Sequence, residues 1–285
     1  MAIRIITDST CDISREDQVR MNIRVVPLTV NFPDASYVDG VDITNEQFFE
    51  KLDECKNLPT TSQVAPQAFV DAFQEGLNDG DEVLGIFLSG DISGTYSAAC
   101  MARETLGSGK IHLVDSRNTT IALGLLVSEA VKKRDAGVSA PEIAELVNSL
   151  TPRVRLMAIM STLKNLHKGG RLSLAQTVLG EAIGIKPLAS IIDGKVAAIG
   201  KARGIPAAFK SVLHKVMDDL PDRRYGFAFA HACSPEIYER FINYLRGPLQ
   251  LTEWLTCNIG SIVGTHIGKG AVGLAYVAKQ RINGV

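Results

Sequence analysis

The sequence predicts an α/β protein with two domains: a three-layer α/β/α domain with a parallel sheet and a second α+β domain with a mixed sheet. Short apolar runs alternate with helical segments through about residue 150, which is typical of βαβ units. Beyond Pro152 the alternation stops, and Asp193-Gly194 between two apolar runs is the strongest hairpin signal in the chain. Since 285 residues suffice for two cores, we expect domains at residues 1–152 and 153–285.

The composition is that of a compact folded protein with no nucleic-acid partner and no integral membrane segment. Hydrophobic residues make up 46% of the chain, charged residues make up 21%, and the mean hydropathy is +0.11. A formal net charge of -1 gives no general attraction to nucleic acid. The longest apolar stretch, residues 259–278, contains five glycines, His266 and Lys269, which argues against a membrane span.

The cysteines and the first residues indicate a cytoplasmic protein. The five cysteines are far apart and form no Cys-x-x-Cys pair, so neither a disulfide framework nor a zinc site is expected. Asp8 stands where a signal peptide requires an unbroken apolar core. No paired carboxylates or His-x-x-x-His spacing is present, so we expect no metal.

Three predicted strands of the first domain end in polar residues. They are residues 3–6, 83–88 and 110–114, followed by Thr7 to Thr10, Ser89 to Gly94 and Asp115-Ser116. A further strand at residues 24–30 is interrupted by Pro27, which implies an edge position or a bulge. In open α/β sheets ligands bind at the carboxyl ends of strands, so one crevice is expected to collect these groups. The alternative is that they only form polar turns.

Capping patterns delimit the helices of this half. Thr44 and Gln47 form a capping box that opens a helix through about residue 55. Pro66 is placed as the first residue of a helix that ends near residue 80. Residues 118–136 predict a long helix. The loop at residues 58–66 is denser in hydroxyl and amide groups than turn formation requires, although a polar surface loop also explains it.

The segment after residue 88 is the leading candidate for a binding loop. An apolar run stops in small and hydroxyl residues, an Ala-rich helix follows, and Gly107 is placed as the stop of that helix. Ser93 then lies at or near the N-cap, where its hydroxyl is able to bond free backbone N–H groups or share them with a phosphate or carboxylate. An ordinary capped connection explains these residues equally well.

The second half predicts a mixed α+β unit. The expected strands are residues 154–160, 186–192, 195–199, 224–230 and 249–257, and the expected helices are residues 161–169, 205–220 and 235–246. Arg171 follows a Gly-Gly turn, where it is able to meet an anion, and Arg203 comes just after the hairpin.

The last motif is the glycine-rich run of residues 262–273, which is expected to place Thr265 and His266 in a loop before a terminal strand at residues 271–277. Its glycine spacing matches neither a Walker loop nor a Gly-x-Gly-x-x-Gly run after a strand. A nucleotide site is therefore not supported.

Three functions remain open from these residues. A serine hydrolase would use Ser93 as nucleophile, His266 as base and Asp8 or Asp115 as the group that orients the base, although the sequence lacks the Gly-x-Ser-x-Gly elbow. A binding module would hold a carboxylate or phosphate with neutral hydroxyls and helix N-termini while apolar residues enclose the rest. A small-molecule sensor or structural subunit is the third possibility.

Six short motifs, in order and spacing, resemble the DegV family along essentially the full chain. They are Thr7-Asp-Ser-Thr10, Thr61-Ser-Gln63, Leu88-Ser-Gly with Ser93-Gly-Thr-Tyr96, Val114-Asp-Ser116, Lys168-Gly-Gly-Arg171 and Gly264-Thr-His-Ile-Gly268. The resemblance implies a two-domain protein that binds one long-chain fatty acid, with the carboxyl group near the domain interface and the acyl chain in the second domain. It also implies that a separate ATP-dependent subunit of bacterial fatty acid kinase phosphorylates the bound acid to acyl phosphate for phospholipid synthesis.

The resemblance also assigns ligand-binding residues, with no catalytic residue and no cofactor. Thr61 and Ser93 would hydrogen-bond the carboxylate, and the rest would shape the pocket, surround the head group or meet the kinase: Ser62, Gly94, Thr95, Arg171, Arg203, Thr265 and His266. Lys269 stands where the family usually has a proline, which would loosen the loop or add a positive charge near the incoming phosphate.

Burial of an acyl chain contributes roughly 0.8 kcal/mol per CH₂ group, so hydroxyls need fix only one end of such a ligand. The second half supplies apolar side chains for a lining, each of which is also explained as ordinary core: Ile159, Met160, Leu163, Leu166, Ile183, Ile185, Leu188 and Ile191.

Overall fold

The computed structural model describes residues 2–172 and 183–279, which form three β-sheets and the helices around them. The strands are β1 (Ile3–Asp8), β2 (Ile23–Val26), β3 (Thr29–Asn31), β4 (Ser36–Val38), β5 (Thr60–Ser62), β6 (Glu82–Phe87), β7 (Ile111–Asp115), β8 (Val154–Ile159), β9 (Ile185–Ile192), β10 (Lys195–Arg203), β11 (Phe227–His231), β12 (Leu255–Asn258) and β13 (Val272–Val277). The helices are α1 (Arg15–Arg20), α2 (Asn45–Glu54), α3 (Pro66–Asn78), α4 (Thr95–Leu106), α5 (Thr120–Asp135), α6 (Ala140–Leu150), α7 (Lys164–Lys168), α8 (Ile205–Asp218), α9 (Pro235–Arg246) and α10 (Ser261–Ile267).

The first sheet is parallel, with strand order β2-β1-β6-β7. Helices α3 and α4 pack together against it, and α5 and α6 form a second helical layer. Because neighbouring strands run in the same direction, the polar residues after β1, β6 and β7 come to one edge, where Phe87 pairs with Asp115. The predicted three-layer α/β/α arrangement is confirmed.

The second sheet is mixed, with strand order β10-β9-β8-β13-β11-β12, and α8 and α9 pack together on it. The antiparallel β9–β10 pair is the predicted hairpin. Asp193 and Gly194 at its tip have φ values of 49° and 81°. Positive φ at both central residues is what a two-residue type I′ turn requires, and Asp-Gly is among the sequences that adopt it readily.

Helix α5 lies between the two sheets and contacts strands of both. Every residue from Thr120 to Val131 except Ser128 is buried, so this stretch of the helix is covered on all sides rather than amphipathic. A Cβ on Gly124 would approach the Cys11 carbonyl oxygen to 2.8 Å, so only glycine fits this contact. One core cluster includes buried residues from both sides of residue 152, and the proposed boundary between domains therefore stays a prediction.

The third sheet, antiparallel with order β4-β3-β5, was not expected from the sequence. The prediction of a single strand at residues 24–30 is wrong, because Pro27 separates β2 in the parallel sheet from β3 in this small sheet. Proline has no N–H for a strand ladder, so a change of sheet at Pro27 costs no hydrogen bond. The loop at residues 58–66 also contains β5, where Thr61 pairs with Val30.

Two further placements differ from the sequence prediction. Thr265 and His266 lie on helix α10 and not in a loop. Burial stabilises this helix, since Ile262 and Val263 are in the core. The helix also packs closely on Phe48, because a Cβ on Gly264 would lie only 2.7 Å from that ring. Lys201 to Arg203 belong to β10 instead of following the hairpin, because β10 extends beyond a register shift between Ala198 and Gly200.

Two buried carboxylates from the N-terminal half hold the beginning of α10. Asp12 accepts a hydrogen bond from the Gly260 N–H at 2.9 Å and another from the Thr120 hydroxyl at 2.6 Å. Asp39 accepts from the N–H of Ser261 at 3.0 Å and from its hydroxyl at 2.7 Å. Carboxyl oxygens accept hydrogen bonds from the free N–H groups at the helix start, so these contacts attach α10 to the first half of the chain.

Burial raises the pKa of Asp12 to about 8 and also raises the pKa of Asp39, in both cases against the lowering effect of their hydrogen bonds. The folded state therefore binds a proton at Asp12 that the unfolded chain, with an ordinary carboxyl pKa, releases. Protonation of Asp12 therefore contributes to the free energy of unfolding. This contribution is fully present below the unfolded pKa of about 3.9 and is lost as pH rises toward 8.

We expect the free energy of unfolding to fall between pH 6.5 and 8 in the wild-type protein, and to fall less in Asp12→Asn. The slope for one proton is at most about 1.4 kcal/mol per pH unit. Asparagine keeps an acceptor for Gly260, can donate to Thr120, and tolerates the φ of 54° at this position. Urea denaturation at several pH values measures both slopes. An Asp12→Asn slope equal to that of the wild type contradicts the assignment.

Candidate functional site

A cavity of about 180 Å³ lies at the carboxyl edge of the parallel sheet, between the loops that follow β1, β5 and β6 and helix α10. We call it the polar cavity. Its polar lining comes from Thr10, Thr61, Ser62, Gln63, Ser93, Thr119, Arg171 and His266. The predicted crevice at the strand ends is therefore present. It joins segments that are far apart along the chain, as in the contact between Thr61 and His266, which are 205 residues apart.

A second cavity of about 70 Å³, the apolar cavity, adjoins the first and extends toward the mixed sheet. The two share the lining residues Thr119, Leu166, Val196, Val263 and Ile267. The remaining lining is almost entirely aliphatic and comes from β8, β9, β13 and the first turn of α5. A ligand with a polar head and an apolar chain matches this arrangement.

The predicted apolar lining is confirmed in part. Met160, Leu166 and Ile191 line the apolar cavity. Ile183, in contrast, is 98% exposed. Leu163 packs beside Met160 and Leu166 without lining this cavity, and Ile159 and Leu188 belong to the core between the mixed sheet and helices α8 and α9.

Ser93 stands one residue before the N-cap of α4, which is Gly94. Its Oγ accepts the N–H of Thr95 at 3.3 Å and lies 3.0 Å from the Thr95 hydroxyl. With Thr95 as donor in both contacts, the Ser93 hydroxyl hydrogen is left for an anion in the cavity. Thr95 itself is fully buried, so it supports Ser93 without lining the cavity.

The start of the loop that carries Ser93 is held from two sides. Asp8, fully buried, accepts the Leu88 N–H at 2.8 Å, and burial raises the pKa of this carboxyl to about 6. On the other side, the buried Ser89 hydroxyl donates to the Gly194 carbonyl at 2.7 Å. Arg117 donates to the Asp193 carbonyl at 2.5 Å. The hairpin tip of the mixed sheet is thus attached to the binding loop of the parallel sheet.

Thr61 and His266 form the opposite wall, with 3.0 Å between Thr61 Oγ1 and His266 Nε2. Nδ1 of His266 is buried and has no hydrogen-bond partner in the described part of the chain. It faces Gly169, where a Cβ would approach it to 2.5 Å. A buried N–H group without an acceptor is rarer in proteins than a buried acceptor without a donor. The unpartnered Nδ1 is therefore the nitrogen without a proton, and the proton is on Nε2. Nε2–H then donates to Thr61, whose own hydroxyl hydrogen is left for a ligand.

Burial and, to a smaller extent, the positive charge of Arg171 lower the pKa of His266 to about 4. The imidazole is therefore neutral near pH 7 and acts as a hydrogen-bond donor. Arg171 is the one charged residue among the described residues that line the polar cavity. Its Nη1 donates to the Gly169 carbonyl at 2.7 Å. One cation and two available hydroxyls favour an anionic head group with the geometry of a carboxylate.

The remaining predicted residues lie around this centre. Ser62 borders the polar cavity, and its hydroxyl accepts a hydrogen bond from Asn31 at 2.9 Å. Thr265 is buried and donates to the Ser261 carbonyl at 2.8 Å, within its own helix. Arg203 is exposed on β10. Neither Thr265 nor Arg203 lines the polar cavity.

Lys269 lies in a turn between two glycines with positive φ, Gly268 at 71° and Gly270 at 93°. Its Nζ donates to Asp53 at 2.7 Å. An adjoining cleft is lined by Lys269 and Asp53, whereas the polar cavity does not include Lys269. The positive charge of Lys269 is therefore paired with Asp53 at the surface, and Lys269 does not line the polar cavity.

The sequence predicted Thr10 in this crevice, but it did not assign Gln63 or Thr119 to the site, although both line the polar cavity. A signal for Gln63 was present. In extended backbone, residues two apart face the same side, so a strand that directs Thr61 into the site also directs Gln63 there. No comparable signal marks Thr119, because its position depends on how α5 enters between the sheets.

Comparison with known proteins matches the chain to one family along almost its full length. The family model described as "Uncharacterised protein, DegV family" matches residues 2–279. A DegV domain-containing protein of Caldanaerobacter subterraneus is 35% identical over 280 residues, covering 97% of this chain and 99% of that protein. One of Clostridium acetobutylicum is 36% identical over 279 residues, covering 97% and 99%.

Solved structures agree with this match. A DegV family protein from Thermus thermophilus, described for its fatty acid binding, has a TM-score of 0.88 and 29% identity, covering 97% of this chain and 100% of that one. DegV of Bacillus subtilis, described as a fatty acid binding protein, has a TM-score of 0.83 and 28% identity, covering 98% and 100%.

The described residues contain neither a candidate membrane span nor a candidate metal site. Among residues 2–172 and 183–279, no helix is both long and apolar enough to cross a membrane. In the same ranges, no three His, Cys, Asp or Glu side chains are grouped so as to hold a metal ion.

We expect the His266 ring to remain neutral from pH 8 down to about pH 5, because burial and Arg171 both oppose its protonation. The ¹³Cε1–¹H signal in an NMR titration measures this, and His266→Asn identifies the resonance. Arg171→Gln should move the midpoint upward by removing the positive charge. A midpoint near the ordinary value of about 6.5 in the wild-type protein contradicts the neutral assignment.

Proposed function

The chain belongs to the DegV family, and on that premise we propose that it binds one long-chain fatty acid. The carboxylate occupies the polar cavity, where Ser93 and Thr61 donate hydrogen bonds to it. The acyl chain extends into the apolar cavity. The observation that carries the proposal is that the two cavities adjoin and share five lining residues, one being lined by hydroxyls and Arg171 and the other by aliphatic side chains.

The binding energy of a fatty acid is expected to divide between the two cavities. Each buried CH₂ group contributes roughly 0.8 kcal/mol, so the chain supplies most of the affinity. The carboxylate loses water on entry and has to regain its hydrogen bonds from the protein. Ser93, Thr61 and Arg171 offer donors at this end, and the neutral imidazole of His266 orients the Thr61 hydroxyl.

The alternative of a Ser93-dependent acyl hydrolase is less well supported. A triad requires the base to contact the nucleophile and an acidic group to orient the base. The Ser93 hydroxyl has Thr95 as its partner, and His266 has Thr61. Within the described residues, no carboxylate contacts the free ring nitrogen of His266. We therefore assign the protein a binding role without catalysis of its own.

We further propose that the bound acid is presented to a separate ATP-dependent kinase subunit, which converts it to acyl phosphate for phospholipid synthesis. In support, Ser62 and Gln63 border the polar cavity and are exposed, so the head group lies close to the surface while the chain is enclosed. A cytoplasmic location belongs to this proposal, and the five widely spaced cysteines, all free thiols, are compatible with it.

Ser93→Ala should reduce the affinity for a long-chain fatty acid roughly 10- to 100-fold, because it removes a hydrogen bond to a charged group. Native mass spectrometry of the purified protein and titration with hexadecanoic acid measure this. Ser97→Ala, an exposed hydroxyl on α4, is the matched control and should bind like the wild type. An affinity unchanged by Ser93→Ala contradicts the carboxylate assignment.

The kinase step has a separate test. The protein loaded with hexadecanoic acid should form acyl phosphate with ATP only when an ATP-dependent fatty acid kinase subunit is added. Trapping the product with hydroxylamine gives a hydroxamate that is readily measured. Fatty acid binding without kinase-dependent product would leave the binding proposal standing and overturn the presentation to a kinase.

A further inference from the structure

Gln63 rests directly on Gly94 at the polar cavity. A Cβ on Gly94 would lie 1.9 Å from Gln63 Oε1 and 2.9 Å from its Cδ. Carbon and oxygen atoms that are not bonded to each other stay roughly 3.5 Å apart, so the amide occupies the space of any side chain at position 94. Both residues line the polar cavity together with Ser93.

The backbone gives no other reason for glycine at this position. Gly94 has φ −70° and ψ 1°, a conformation that residues with side chains also adopt. Thr95, which follows it, begins helix α4 in the ordinary way. The requirement for glycine at position 94 thus comes from the neighbouring amide of Gln63.

The Gln63 side chain is not held in place by a hydrogen bond from the described residues. It is exposed, and in the described ranges, 2–172 and 183–279, its amide has no hydrogen-bond partner. By contrast, the Ser62 hydroxyl is held by Asn31. A polar group that is packed against a cavity wall without being bonded there can swing away at little cost and can donate to a ligand when it returns.

We propose that Gln63 is a gate over the carboxylate site: its amide, seated on Gly94, closes the outer side of the polar cavity and sets the rate at which a bound fatty acid leaves. This inference rests on the proposed function. In the closed position the amide keeps water from the carboxylate, which strengthens the hydrogen bonds from Ser93 and Thr61. A side chain at position 94 would hold the gate open.

The test compares Gln63→Ala, Gly94→Ala and the double variant with the wild type. Each protein is loaded with radiolabelled hexadecanoic acid, and its transfer to excess albumin gives the dissociation rate. We expect each single change to accelerate release about five- to tenfold, since affinity differences among variants of one site arise mainly in the dissociation rate. In the double variant, alanine at position 94 no longer displaces an amide, so release should be no faster than in Gln63→Ala.

Two control variants isolate the contact. Gln67→Ala removes an amide that bonds Asp71 on the surface of α3. Gly109→Ala adds a methyl group where no other atom lies within 4 Å. Both should release the ligand at the wild-type rate.

Other outcomes have distinct meanings. An unchanged rate in Gln63→Ala overturns the gate. Acceleration by Gly94→Ala that is equal with and without Gln63 also overturns it, because the methyl group would then act on the ligand directly. If the wild-type protein retains no hexadecanoic acid, the proposed function fails and this inference fails with it.

Discussion

The attachment of helix α10 to two buried carboxylates is the interaction on which the polar cavity depends. Asp12 and Asp39 bind the N–H groups at the start of this helix, and His266 stands at its other end, in contact with Thr61. A helix of seven residues is too short to be stable by itself. Its position is therefore set by contacts with the first half of the chain, and these contacts bring the last motif of the sequence to the first sheet.

The same attachment explains why an apolar helix and a polar site lie side by side. Thr120, the first residue of α5, donates to Asp12, and the helix then passes between the two sheets with almost every residue buried. Its first turn lines the apolar cavity, while Thr119 borders both cavities. The boundary between polar and apolar lining thus coincides with the place where α5 enters the core. A ligand with one charged end and a long apolar chain is matched to that boundary.

Much of the fold was predictable because local patterns agree with the final structure. The capping box at Thr44, the proline that begins α3, the Asp193-Gly194 turn and the helix end at Gly107 all formed as expected. These features depend on neighbours within a few residues. The small sheet β4-β3-β5 was missed, since its strands have only three residues each, and Pro27 concealed a change of sheet.

The sequence by itself determined the alternation of strands and helices, the polar strand ends, and the family to which the motifs point. The family resemblance predicted that Ser93, Thr61, Arg171 and His266 share one site, and these four residues line the polar cavity. Only the tertiary structure decided which side chains face the ligand cavity: Thr265 bonds within its own helix, and Gln63 lies on Gly94. The physical reason is distance along the chain. Local hydrogen bonding fixes an element, whereas the neighbours of a side chain are set by how the elements pack, as in the contact between Thr61 and His266, which are 205 residues apart.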